Sequence, residues 1–297
     1  MVHRHLKSLL AAGTIRKLGT PPKVLYRAVD PSQANVLPKL NQECIDYINA
    51  NYLFVKADGQ ILAGLEGFQQ WAIKTDQHRH FQSLAEEYVK VHSRHDEMYR
   101  NNLGLIDATF KIEDTFSESS LDYLFYQDFY SIPKFGKTKM GQMVFLGKSG
   151  QNLAYIAKLA DISSAYVKQI IETFNIDGII FTPHSIPRKI SFLNEYKRFL
   201  GLTTPCSTLT KVFADNIPIA QKSLAKLSDR IENAQNTIFV KDENRPFKRI
   251  LVIDDAVGSG ATLNTIAAKL KDICKTEFVC GYCLAGSLKG FEVISEV

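Results

Sequence analysis

Two adjacent carboxylates and the turn that follows them are the residues of this chain with the clearest chemical potential. Asp254 and Asp255 come directly after the short apolar run of residues 250–253. The turn after them consists of Gly258, Ser259, Gly260, Ala261 and Thr262. Glycines let a backbone approach a ligand closely, and free N–H groups at a helix start favour an anion such as phosphate. Because carboxylates repel phosphate, the acidic pair suits hydroxyl groups or a metal ion carried by the same ligand.

A strand and a helix are predicted to position these residues. The run at 250–253 is short and mostly β-branched, which is typical of a buried strand in a parallel sheet. After the turn, apolar residues recur at helical spacing at Leu263, Ile266, Ala267 and Leu270. The alternative is an ordinary strand-to-helix joint with a capped helix. An acidic pair beside a glycine-hydroxyl turn is too particular for that alternative, and the pattern favours ligand binding.

Residues 252–263 resemble the signature of type I phosphoribosyltransferases, which bind phosphoribosyl pyrophosphate (PRPP). The resemblance implies that Asp254 and Asp255 hold the ribose 2′- and 3′-hydroxyls, with Mg²⁺ reaching them indirectly through PRPP. It also implies that residues 258–262 bind the 5′-phosphate. The chain departs from the family at Gly258, where a hydroxyl residue is common, so one hydrogen bond to the phosphate is expected to be absent.

The second half of the chain alternates between predicted strands and helices. The predicted helices cover residues 153–160, 166–174, 192–200 and 217–236, and the predicted strands cover 178–181, 237–240, 250–253 and 278–284. This alternation predicts an α/β fold with a parallel sheet covered by helices on both faces. Ligands of such sheets bind at the carboxyl ends of the strands, where both the acidic pair and the loop after residue 181 fall.

That loop narrows the resemblance to the ComF-like branch of the phosphoribosyltransferases. The branch has a proline-containing loop followed by a basic residue, and a later stretch with Gln, Leu, Arg and Asn, matched here by Gln221, Leu224, Arg230 and Asn233. The implied pyrophosphate loop is Thr182, Pro183, His184, Ser185 and Arg188. The implied mobile-loop cations are Lys211, Lys222 and Arg230. For His184 and Arg230, a purely structural role remains an equal alternative.

The N-terminal segment carries the basic excess of the chain. Residues 1–29 contain six Lys and Arg and no acidic residue, whereas the whole chain has a net charge of +5. A predicted helix at 2–12, a glycine, and strands at 15–18 and 24–29 resemble the second half of a winged helix-turn-helix domain. The resemblance implies DNA contacts by Arg4, His5, Lys7 and Ser8 in the groove and by Arg16, Lys17 and Lys23 on the backbone. The alternative is a basic peripheral helix and hairpin without a nucleic-acid role.

Composition and organisation set the remaining expectations. The 297 residues are 45% hydrophobic and 23% charged, as in a globular protein, and no apolar stretch is long enough for a membrane span. Five cysteines, an odd number, favour a reducing cytoplasm. Cys280 and Cys283 are spaced like a CxxC motif but lie on a predicted strand, so they should face opposite sides of it. Lys134, Lys137, Lys139 and Lys148 form a basic cluster that we interpret as a solvated loop, with a surface that faces a phosphate-rich ligand as the alternative.

We therefore expect three regions: a partial winged helix-turn-helix (1–30), a linker with a mixed α+β region (31–148), and a phosphoribosyltransferase-like domain (149–297). The resemblance implies transfer of ribose 5-phosphate from PRPP to an acceptor, with release of pyrophosphate; the sequence identifies no acceptor. One alternative is a non-catalytic DNA-binding regulator that senses PRPP, and another is a nucleotide-modifying effector that acts with a partner. We also expect a homo-oligomer, or a partner protein that completes the winged helix.

Overall fold

A mostly parallel sheet of six strands organises residues 43–297. In spatial order its strands are β10 (Cys206–Thr208), β9 (Gly178–Phe181), β13 (Arg249–Val257), β14 (Phe278–Gly286), β6 (Tyr123–Phe129) and β5 (Ile106–Asp107). Neighbouring strands run parallel except for β5, which pairs antiparallel with β6. This computed structural model describes residues 2–18, 22–28, 40–215, 217–241 and 246–288. The chain divides into two compact units, residues 1–42 and 43–297.

The other elements are numbered along the chain. The helices are α1 (Val2–Ala11), α2 (Gln42–Asn51), α3 (Gly64–Lys74), α4 (Phe81–Tyr99), α5 (Thr109–Thr115), α6 (Lys139–Lys148), α7 (Leu153–Thr173), α8 (Phe192–Leu200), α9 (Leu227–Thr237) and α10 (Ala261–Cys274). The short strands are β1 (Ile15–Leu18), β2 (Leu25–Ala28), β3 (Leu53–Val55), β4 (Ile61–Ala63), β7 (Ser131–Ile132), β8 (Gly136–Lys137), β11 (Thr210–Lys211) and β12 (Ile238–Phe239). Two 3₁₀ turns lie at His78–His80 and Gln221–Ser223.

Both faces of the sheet are covered by helices, as the run at residues 250–253 predicts. Leu251 and Ile253 pack into a core shared with α6, α7 and α8, while Ile250 and Val252 pack into a second core shared with α9 and α10. All four side chains are fully buried, which explains why this strand is a continuous apolar run and not an alternating one. The α/β class is therefore confirmed.

The order of the strands reverses between β9 and β13. From β9 the chain passes through α8 to β10 on one side, and from β13 it passes through α10 to β14 on the other. At such a reversal the two connections leave in opposite directions and open a crevice at the carboxyl ends of the strands. The register pairs Ile253 with Phe181, so Asp254 and Thr182 emerge side by side at that crevice.

Several predicted elements differ in the structure. The two helices predicted between residues 153 and 174 are one continuous helix, α7. The helix predicted at 217–236 is wrong in its first half, because α9 begins at Leu227. Pro218 lacks an N–H and restricts the residue before it, which disfavours a helix there. The strand predicted at 237–240 does not join the main sheet, since β12 pairs antiparallel with β11.

The hairpin of β3 and β4 turns at Asp58 and Gly59, and α8 ends at Gly201 in a left-handed conformation. The prediction for the two cysteines of β14 is confirmed. Cys280 packs into one of the two cores and Cys283 into the other, so the two thiols lie on opposite faces of β14. All five cysteines are thiols that form no disulfide.

The N-terminal unit consists of α1 and the antiparallel hairpin of β1 and β2. Gly13 follows the helix with φ +66°. Arg4, His5, Lys7, Ser8, Lys17 and Lys23 are exposed. The side chain of Arg16 and the linker at residues 31–39 lie outside the described residues. A helix and a hairpin are therefore present as predicted, and their relation to a winged helix-turn-helix remains a prediction. In the described part of the chain, no helix combines the length and the apolar character that crossing a membrane requires.

Candidate functional site

A cleft of about 590 Å³ opens at the carboxyl ends of β9 and β13. It is lined by all seven residues of the predicted acidic pair and phosphate turn, and by most of the other predicted site residues. These are Asp254, Asp255, Gly258, Ser259, Gly260, Ala261, Thr262, Thr182, Pro183, His184, Ser185, Arg188, Lys211 and Arg230. The side chain of Lys222 lies outside the described residues. Segments far apart in the sequence thus share one cleft.

The turn between β13 and α10 leaves backbone donors available at the start of the helix. Gly260 is the residue before the helix and has φ 74°, a left-handed conformation that glycine adopts without strain. The N–H of Ala261 donates to Oγ of Ser259 over 3.4 Å. Gly260 has no side chain that could accept hydrogen bonds from the other N–H groups of the first helical turn. That turn contains no acidic residue that would repel an anion. The local geometry is therefore that of an anion site at a helix N-terminus.

The acidic pair forms the end of β13. Asp255 is buried, and the backbone N–H of Asp255 donates to Oδ1 of Asp254 over 2.8 Å. Burial and the charge of Asp255 raise the pKa of Asp254 to about 7, while Lys148 and a hydrogen bond from the side chain of Thr182 oppose the increase. Asp254 therefore changes its protonation state near neutral pH.

Lys148, at the end of α6, is a site residue that sequence reasoning missed. Its Nζ lies 2.8 Å from Oδ1 and 2.6 Å from Oδ2 of Asp255. Burial lowers the pKa of Lys148, but the carboxylates of Asp255 and Asp254 outweigh that effect and raise it overall. The other described members of the predicted basic cluster lie elsewhere, since Lys134 pairs with Glu87 and Lys139 donates to the carbonyl of Ala50. The interpretation of Lys148 as part of a solvated loop is wrong.

The loop after β9 is tethered to the turn between α6 and α7. Nη1 of Arg188 donates to the carbonyl oxygen of Lys148 over 2.7 Å. The backbone N–H of Ile190 donates to Oε1 of Gln151 over 3.0 Å. These two contacts fix the far end of the loop beside the helix that carries Lys148. His184 is exposed at the cleft.

Lys211, on β11, contacts the same loop. Its Nζ donates to Oγ of Ser185 over 3.0 Å. Burial lowers the pKa of Lys211 to about 8, and the charge of Asp254 partly offsets this decrease. An anion bound beside this lysine would raise its pKa again and stabilise its charged form.

Gln221, Arg230 and Asn233 form a local network around the start of α9. Nε of Arg230 donates to the carbonyl of Leu224 over 2.8 Å, and Nε2 of Gln221 donates to the carbonyl of Arg230 and to Oδ1 of Asn233. The side chain of Arg230 is buried, and its Nη2 has no hydrogen-bond partner within the described ranges. These contacts give Arg230 the structural role that the sequence analysis named as an alternative. A role of Arg230 in ligand binding stays a prediction.

The donor set does not fit a directly bound Mg²⁺. No group of three His, Cys, Asp or Glu side chains suited to a metal occurs among the residues that the structure describes. Both carboxylate oxygens of Asp255 already contact the ammonium of Lys148. The two carboxylates share the cleft lining with five cationic side chains, those of Lys148, Arg188, Lys197, Lys211 and Arg230. This balance favours an anionic ligand with hydroxyl groups.

Comparison with known proteins adds no further constraint on the site. No protein-family model matches this chain, and no curated protein matches it.

Proposed function

We propose that the cleft binds PRPP and transfers its ribose 5-phosphate to an acceptor, with release of pyrophosphate. The observation that carries this proposal is the meeting of three elements in one cleft: the acidic pair, the N-terminus of α10 and the loop after β9. They match the three parts of PRPP, which are the ribose hydroxyls, the 5′-phosphate and the pyrophosphate. The cleft volume of about 590 Å³ lies in the range of small-molecule sites and accommodates a ligand of this size.

In this reaction the bond between C1 of the ribose and the pyrophosphate oxygen breaks, and its electron pair leaves with pyrophosphate. A nucleophilic atom of the acceptor forms the new bond to C1, and its proton passes to solvent or to a base. Positive charge develops on the ribose while negative charge grows on the leaving group. The protein must therefore orient the ribose and stabilise the leaving group more than it must supply covalent chemistry.

The residues of the cleft suit these two tasks. The ribose hydroxyls would donate to Asp254 and Asp255, and the first-turn N–H groups of α10 would bind the 5′-phosphate. Arg188, in the loop after β9, and Lys211, which contacts Ser185 of that loop, would face the pyrophosphate and stabilise its developing charge.

The proposal is tested by two measurements on the full chain. Pyrophosphate release from PRPP is assayed with a panel of purine bases, pyrimidine bases and amines, and PRPP affinity is measured by calorimetry. We expect the double variant Asp254→Asn with Asp255→Asn to lose PRPP binding, since neutral amides accept weaker hydrogen bonds than carboxylates. Retained affinity in that variant would refute the site. The matched control is Asp272→Asn, a side chain that is 85% exposed on α10.

A second candidate is a DNA-binding regulator that senses PRPP without turnover. The observation that favours it is the separate N-terminal unit, in which a helix and a hairpin present exposed basic residues. Retardation of DNA that changes when PRPP is added, without pyrophosphate release, would support the regulator. Pyrophosphate release with DNA binding absent would support the transferase alone.

A further inference from the structure

The contact between Lys148 and Asp255 bears on what the acidic pair can bind. The ammonium lies within hydrogen-bond distance of both carboxylate oxygens, at 2.8 and 2.6 Å. The Asp255 side chain is 7% exposed and the Lys148 side chain 45% exposed, and both line the cleft. Each carboxylate oxygen has a second lone pair, so Asp255 can still accept a hydrogen bond from a hydroxyl group.

Two adjacent carboxylates would attract a divalent cation if no lysine were present. Like charges this close disfavour each other, and a cation between them relieves the repulsion. Lys148 supplies that cation from the protein itself. Its ammonium contacts both oxygens of Asp255, through either of which the carboxylate would coordinate Mg²⁺ directly.

Lys148 is held in this position by its backbone as well as by its charge. It is the last residue of α6, where the partial negative charge of the helix end favours a cation. Nη1 of Arg188 donates to its carbonyl oxygen over 2.7 Å, which ties the same residue to the loop after β9. The lysine is thus built into the cleft wall.

We infer that Lys148 is a positioning residue that keeps Asp255 available to ribose hydroxyl groups and prevents a divalent cation from binding the acidic pair directly. The part concerning ribose rests on the proposed function, whereas the part concerning metal does not. The consequence is a site that selects ligands with vicinal hydroxyls and takes up a divalent cation only together with a phosphorylated ligand.

The first experiment measures metal binding to the full chain without any phosphorylated ligand, with Mn²⁺ as an electron-paramagnetic-resonance probe. We expect Lys148→Met to bind Mn²⁺ more tightly than the wild type by about tenfold or more, the effect of one favourable charge contact. Lys148→Arg keeps the charge and should behave like the wild type, and so should Lys158→Met, an exposed lysine on α7. Equal Mn²⁺ affinities of the wild type and Lys148→Met would overturn the inference.

The second experiment compares ribose 5-phosphate with 2-deoxyribose 5-phosphate by calorimetry. The wild type should prefer the ribose compound by about tenfold, the effect of one hydrogen bond to a charged group. Lys148→Met should lose this preference, and Lys148→Arg should retain it. A variant that merely folded poorly would bind both sugar phosphates more weakly, and to the same extent. An unchanged preference in Lys148→Met would overturn the role toward ribose.

The two experiments separate this inference from the proposed function. If the wild type binds neither PRPP nor ribose 5-phosphate, the proposed function fails, and the Mn²⁺ comparison still decides whether Lys148 protects the acidic pair. If the wild type binds PRPP but Lys148→Met gains no Mn²⁺ affinity, the proposed function stands and the inference fails. Thermal melts of each variant report whether it folds.

Discussion

The ammonium of Lys211 donates a 3.0 Å hydrogen bond to Oγ of Ser185 and so joins β11 to the loop after β9. Both residues follow β9 in the chain, 26 positions apart. Their link places a cation beside the loop that we assign to pyrophosphate. Because burial lowers the pKa of Lys211 to about 8, this cation is charged at neutral pH and neutral in mildly alkaline solution.

We expect Lys211→Met to weaken PRPP binding at pH 7 by about tenfold, through loss of one charge-assisted hydrogen bond. In the wild type, affinity should fall between pH 7 and 9.5, because the ligand-free protein loses the proton of Lys211 as pH rises through about 8. The variant should lack this part of the pH dependence. Calorimetry at both pH values checks the prediction, with Lys168→Met, an exposed lysine on α7, as the control. Parallel pH profiles for the wild type and Lys211→Met would contradict it.

Asp254 gives a prediction about the pH dependence of stability. Burial and the charge of Asp255 raise its pKa to about 7, above the value of about 3.9 for an aspartate in an unfolded chain. Between these values the folded protein holds a proton that the unfolded chain has released. This stabilising contribution is complete below about pH 4 and is lost as pH rises through about 7.

The variant Asp254→Asn should therefore raise the melting temperature relative to the wild type more at pH 8 than at pH 5. The amide removes the cost of an ionised buried carboxylate at pH 8, where the wild type carries one. Thermal melts at the two pH values measure the difference, and Asp272→Asn serves as an exposed control. A difference between variant and wild type that does not depend on pH would show that Asp254 does not titrate in this range.

The joint between β13 and α10 could be predicted from the sequence because its signals are local. The apolar run, the two acids, the glycine turn and the helical spacing all lie within residues 250–270. The sheet class followed from the same kind of local pattern. The three residues of β10, by contrast, are too few for a periodic signal, and β6 lies outside the region where the alternation of strands and helices was recognised.

The contact between Lys148 and Asp255 could not be predicted from any local pattern. It joins residues 107 positions apart, and it exists because α6 packs on the sheet with its last residue at the carboxyl end of β13. Three other lysines lie near Lys148 in the sequence, and such a run of lysines is typical of a solvated cluster. In the structure, Lys134 and Lys139 contact other parts of the chain. The stretch before α9 was mistaken for helix for a different reason, since its apolar spacing is helical but Pro218 interrupts the backbone pattern.

The phosphate turn can be tested with two glycines that share a left-handed backbone, one in the turn and one far from it. Gly260 has φ 74° at the start of α10, and Gly59 has φ +80° in the turn between β3 and β4, where an added Cβ would meet no atom within 4 Å. An alanine in the left-handed region costs about 1–2 kcal/mol, so Gly260→Ala and Gly59→Ala should lower the free energy of unfolding to a similar extent.

Only Gly260→Ala should also weaken the binding of ribose 5-phosphate, by about tenfold. The strained alanine shifts the first turn of α10, and the N–H groups that we assign to the 5′-phosphate then lose their alignment. Denaturant unfolding and calorimetry on both variants separate the two effects, since loss of stability alone would affect them equally. If Gly260→Ala binds ribose 5-phosphate as well as Gly59→Ala does, the phosphate does not lie at this helix N-terminus, and the assignment of residues 258–262 must be abandoned.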